Sequence, residues 1–174
     1  MAIEFIALYT FRTLFHLHQS QGENLMTTTT QQTPSSDNED IRALLKTVIK
    51  ALHDKDAGAV VAQFDPSAVI FDLAPPLSHN VDQQGWQDWF DTWEGPVERK
   101  SRDLKFTVMG DLAVVHGLYH ERAITKDGGE PAEWWMRATV ALRKDAGRWR
   151  IIHEHTSVPY HMDGSFRAAT DLKP

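Results

Sequence analysis

Apolar residues in this chain recur with two periods, a helical one up to about residue 93 and a two-residue one beyond residue 100. Ile41, Leu44, Leu45, Val48, Ile49 and Leu52 mark one face of a helix that Asp40 is placed to cap, and His53-Asp54-Lys55-Asp56 ends it. A second, short helix over 57–64 carries Val60, Val61 and Phe64. Residues 67–72 read as a strand that must leave its ladder before Pro75 and Pro76, since proline has no N–H to give and restricts its neighbour. A third helix is predicted over 81–93, broken by Gly95-Pro96. Strands follow at 101–109, 112–125, 132–143 and 149–158, with turns at Gly110-Asp111, 126–129 and 144–147. Helices first and an antiparallel meander after them make an α+β fold, with a sheet wrapped around about three helices packed on one of its faces.

The last of these strands carries the densest chemistry. Side chains alternate between the faces of a strand, so Trp149, Ile151, His153, His155 and Ser157 are expected on one side. Two imidazoles and a hydroxyl beyond a Trp and an Ile are unusual for a core face, where each polar group needs a partner. Either this face lines a pocket with a polar end, or the histidines are structural, bonded to neighbouring strands.

Length and charge narrow the classes. A chain of 174 residues builds one domain with a real core. The net charge of −6, from 18 basic and 24 acidic residues without a basic run, argues against nucleic acid or an anionic membrane as partner. Without cysteine there is no disulfide, thiolate chemistry or Cys-based zinc site. The apolar run from Ile3 to Phe11 is too short to span a bilayer and is interrupted by Glu4, and no clear signal peptide is present, so the expected compartment is the cytoplasm. Met26 opens a polar tract rich in Thr, Gln and Ser. Residues 1–39 are therefore read as an extension, with Met26 as the native start, 40–160 as the domain and 161–174 as a tail. No glycine-rich phosphate loop, nucleophile elbow or zinc motif occurs.

The order of elements carries a resemblance. The helix ending Ala51-Leu52-His53-Asp54-Lys55-Asp56, Phe64-Asp65 followed by Ala68-Val69-Ile70-Phe71-Asp72, Gly110-Asp111-Leu112-Ala113-Val114 opening a long strand, and the closing strand from Trp149 to Ser157 together resemble the NTF2-like superfamily, in its SnoaL-like or ketosteroid-isomerase-like branch. The resemblance implies a cone-shaped fold, a conical apolar pocket for a small organic ligand, and a homodimer formed through the outer sheet face, where Val115, Ala141 and Ile152 need cover. It also implies that Asp72, at the end of the first strand, matches the carboxylate that moves a proton in the isomerase branch. That branch's helix-borne tyrosine and sheet aspartate (a worked example of carboxyl tuning) fall at Val48 and near Thr139, which cannot replace them.

The leading expectation is cofactor-free proton transfer on an apolar or aromatic carbonyl compound: isomerisation, cyclisation or dehydration. Asp72 is the candidate base, with His153 and His155 as catalytic partners or oxyanion donors. The alternative for Asp72 is a turn former before Leu73. Arg137, between aromatics, is a candidate grip on an oxyanion, and Trp89, Trp135, Tyr119 and Ser157 are candidate ligand contacts. Tyr119 and His120 must face opposite ways. No metal is expected, since nothing in the spacing gives the two histidines a third ligand. Trp86, Trp89, Phe90 and Trp93 at helical spacing read as core or pocket wall, Pro75-Pro76-Leu77 as a rim loop, and His53, His79 and His161 as surface residues. The competing reading is a non-catalytic ligand-binding or dimerisation module.

Overall fold

The computed structural model describes residues 36–174. Residues 1–35, with most of the expected extension and Met26, lie outside the described residues. Helix α1 (Ser36–Asp54) starts ahead of Asp40, because Asp37 anchors its first turn. The Asp37 carboxylate accepts from Lys144 Nζ at 2.7 Å and Trp149 Nε1 at 3.1 Å, and acids in a first turn suit the helix dipole. The predicted stripe faces the core: Ile41 and Leu52 are fully buried, each contributing about 2 kcal/mol. Helix α2 (Ala57–Val61) is capped by Asp56, and α3 (Gln83–Phe90) by Asp82, whose Oδ2 accepts from the Gly85 N–H at 2.7 Å.

The strands are β1 (Phe64–Phe71), β2 (His79–Asn80), β3 (Trp93–Met109), β4 (Leu112–Thr125), β5 (Ala132–Asp145) and β6 (Arg148–Ser157). They form one curved sheet in the order β2-β1-β6-β5-β4-β3. β1 runs parallel to β6, and every other pairing is antiparallel. The helices cover the concave face, where Phe64, Phe90, Val97, Val140, Leu142 and Ile151 are almost fully buried.

Three departures from the sequence pattern matter. First, the third helix ends at Phe90, and Gly95-Pro96 lies inside β3 instead of ending a helix. β3 is an edge strand, where a proline removes no needed donor, and Gly95 takes φ 66° at an irregularity between Glu94 and Glu98. Second, β3 bulges between Arg102 and Lys105, with Asp103 at φ 55°. Gly117 on β4 lies beneath it, where a Cβ would meet the Arg102 carbonyl oxygen at 2.9 Å. Val115 shares this inner side and is 1% exposed, so it needs no outer cover.

The third departure decides the site. Ala141 pairs with His153 but Leu142 pairs with Ile151, so Ile152 is an extra residue, a β-bulge in β6. One inserted residue reverses the alternation. Trp149 and Ile151 face the core before the bulge, and Glu154 and Thr156 do so after it.

Candidate functional site

A cavity of about 390 Å³ opens between α3, the β1–β2 connection and the concave sheet face. Asp82, Gly85, Trp86 and Trp89 form its helical wall, sharing one face of α3 by their spacing of three and four. The two indoles meet edge to face at 5.6 Å. The expected aromatic stripe thus packs against the core and walls the cavity at once. Arg99, Glu121, Trp134 and Met136, from three adjacent strands, make the sheet side. Asp72, Leu73 and Ala74 border the mouth with His79 and Asn80, and beyond them Leu77 stands in solvent, 97% exposed.

A buried charged group underlies the sheet side. The Arg99 guanidinium donates through Nε to Glu121 at 2.6 Å, adds a second contact from Nη2, and approaches Glu154 through Nη1 at 3.6 Å. All three side chains are less than a tenth exposed. Tyr119 lies below, its ring centroid 4.9 Å from the guanidinium carbon. Burial pushes the Glu154 carboxyl above the ordinary carboxylate range, with Arg99 opposing and Asp72 and Glu121 reinforcing. Burial also raises the Tyr119 hydroxyl. Arg99 remains charged, since its carboxylate neighbours outweigh its own desolvation. A guanidinium has five N–H donors and Glu121 occupies two, so donors on Nη1 and Nη2 remain for Glu154 and for an oxygen in the cavity.

The residues expected at the site divide between the two faces. Asp72 and Trp89 line the cavity. Asp72 Oδ1 accepts from the Leu73 N–H at 2.6 Å and from Thr156 Oγ1 at 3.3 Å, so it closes a local turn while bordering the mouth. Tyr119 points inward and His120 outward, as alternation required. The bulge carries His153 and His155 away from the Trp149 face on which the sequence pattern had placed them. His153 donates Nδ1–H to the Val69 carbonyl oxygen at 2.6 Å, and Phe71 meets the two imidazole rings edge-on at 4.8 and 5.7 Å. Ser157 and Arg137 oppose one another on that convex face, where Arg137 is exposed. Trp135 is there too, its ring 4.7 Å from His120. Val48 is buried in α1 and Thr139 exposed on the convex side.

Sequence reasoning missed Arg99, Glu121, Glu154 and His79 as site residues. The adjacent apolar pair Ile151-Ile152, in a strand that otherwise alternates, was the available signal for Glu154. Arg99 was hidden because its segment was read as a break after the third helix.

Residues 41–161 match the family model of the SnoaL-like domain. The chain belongs to this family. Among solved structures, the SnoaL-like chain is similar to an NTF2-like protein of unknown function from Pseudomonas putida KT2440, at 29% identity and a TM-score of 0.70 over 81% of this chain and 99% of that one. It also shares its fold with an NTF2-like superfamily protein from Salmonella enterica serovar Typhimurium LT2, at 18% identity and a TM-score of 0.62, covering 73% of this chain and 94% of that one. A third structure, provisionally named a dehydratase of the NTF2-like family from Streptomyces avermitilis, matches at 16% identity and a TM-score of 0.62 over 72% and 97% of the two chains. No curated protein matches the SnoaL-like chain. Among its described residues, no helix is long and apolar enough to cross a membrane.

Proposed function

We propose that this SnoaL-like chain catalyses cofactor-independent proton transfer on a small carbonyl compound, an isomerisation or dehydration. The observation that supports it best is that one indole-walled cavity is bordered by both a carboxylate, Asp72, and a buried guanidinium, Arg99. Asp72 takes the proton from the carbon next to the carbonyl. Arg99 donates to the carbonyl oxygen as negative charge grows there, the part first expected of Arg137. Glu121 and Glu154 hold the guanidinium in place, so little reorganisation accompanies the step. His79, at the same mouth, is placed to relay the proton to solvent.

The test is a thermal-shift screen of small enones and phenols, followed by turnover of the ketones that stabilise the protein. Asp72→Asn is expected to abolish turnover while leaving binding and melting nearly unchanged. The second reading, a ligand-binding module without chemistry, is favoured by the Asp72 hydrogen bond to Leu73 N, a turn-forming contact. It wins if Asp72→Asn melts early and no ketone turns over.

A homodimer through the convex face belongs to the same proposal. Val69 and Phe71 are exposed there, at 37% and 40%, among the outward residues of β4 to β6. Sedimentation of the full chain is expected to give twice the monomer mass.

A further inference from the structure

We propose that the α3 wall of the cavity is a subsite for an organic cation, so that the cavity takes a protonated amine in preference to a neutral molecule of the same shape and rejects the carboxylate. The inference rests on the functional reading only for the carbonyl end of the molecule, since the helical wall and the sheet side are separate groups of residues.

The charges bordering the cavity carry the argument. Among the described residues Arg99 is the one arginine or lysine on its lining, and that charge is already committed to Glu121 and Glu154. An entering carboxylate would compete with two buried carboxylates for the same guanidinium. It would also meet Asp72 at the mouth and Asp82 on the helical wall, two charges of its own sign. An entering ammonium meets the reverse. Asp82 spends Oδ2 on capping Gly85, and its Oδ1 has no hydrogen bond among the described residues. Trp86, four residues on, and Trp89 share that wall, and an indole face attracts a cation through its quadrupole. A carboxylate and two indoles on one helix face are the parts of a cation box. The sheet side, with Asp72 and Arg99, remains free for the carbonyl. The substrate class that fits both ends is an amine-bearing ketone.

The experiment uses three probes of nearly one shape: phenethylammonium, phenethyl alcohol and phenylacetate. Each is titrated into the full chain at neutral pH and low salt, with tryptophan fluorescence as readout. The ammonium is expected to bind about tenfold more tightly than the alcohol, with the carboxylate weakest. Asp82→Asn keeps the helix cap, because asparagine caps as well as aspartate. It is expected to erase most of the ammonium preference while leaving alcohol affinity in place. Phenylacetate binding as tightly as phenethylammonium, an unchanged preference in Asp82→Asn, or no binding of any probe overturns the proposal. Failure of the proton-transfer reading shows elsewhere: the cation preference holds, but no ketone, with or without an amine, turns over.

Discussion

Replacing Arg99 by methionine removes the single cation from a group in which the Glu121 side chain is 4% exposed and the Glu154 side chain 8%. Methionine fills most of the volume, so the loss is electrostatic. Breaking a buried pair by deleting one partner costs about 3–5 kcal/mol, because the orphaned charge stays desolvated. For a domain of this size that lowers Tm by roughly 10–20 °C. Glu154→Gln should behave quite differently. Its carboxyl is already pushed toward the neutral form, and its contact with Arg99 is the longer one at 3.6 Å, so its removal should cost about 1 kcal/mol or less. The pH dependence carries the sign. A carboxyl whose folded pKa is raised binds its proton more tightly folded than unfolded, so its contribution falls as pH rises from the ordinary carboxylate range through the raised value. Wild type should therefore lose stability across that window relative to Glu154→Gln. The Arg99→Met deficit should be larger at pH 8 than at pH 5, where the Glu154 carboxyl, raised by burial, more readily holds its proton. Urea unfolding followed by tryptophan fluorescence at both pH values measures all of this. A cost below about 1 kcal/mol for Arg99→Met at pH 8, or equal costs for the two variants, refutes the reasoning.

Gly117→Ala should destabilise by about 1–3 kcal/mol through overpacking against the Arg102 carbonyl, measured as a urea midpoint shift. Asp37, held below the ordinary carboxylate range chiefly by the Lys144 hydrogen bond and then by Trp149, should contribute stability at neutral pH that is lost on acidification. Asp37→Asn should lack that acid-side loss in a Tm series against pH. Thr156→Val removes a donor to Asp72 and should change the pH profile of turnover more than it changes melting.

The helical half of the fold was legible because burial follows spacing directly. Five of the six stripe positions in α1 are buried, with Ile49 half-buried. Alternation likewise foretold that Tyr119 and His120 would part. What stayed hidden came from single backbone irregularities. Pro96 breaks a helix or an inner strand but is tolerated at an edge, and nothing local shows that β3 is an edge. The β6 bulge moves the paired histidines outward and brings in Glu154, because a period of two has no memory across an inserted residue. Asp72 was found by resemblance, and Arg99 needed the three-dimensional pairing with Glu121.

The inserted Ile152 has a consequence for descent within the family. β6 holds two sets of polar groups on opposite faces, Glu154 with Thr156 inward and His153 with His155 outward, and the two-for-one pairing at Ile152 is what lets this length of strand keep them there. A relative lacking the equivalent of Ile152 would keep both sets where they are, because Ile151 and His153 would then be neighbours opposite Leu142 and Ala141, the partners they already have. The strand can therefore lose or gain this one residue in descent without exchanging its interior, and a gap at Ile152 between two relatives would mark a change in the ladder and none in the faces.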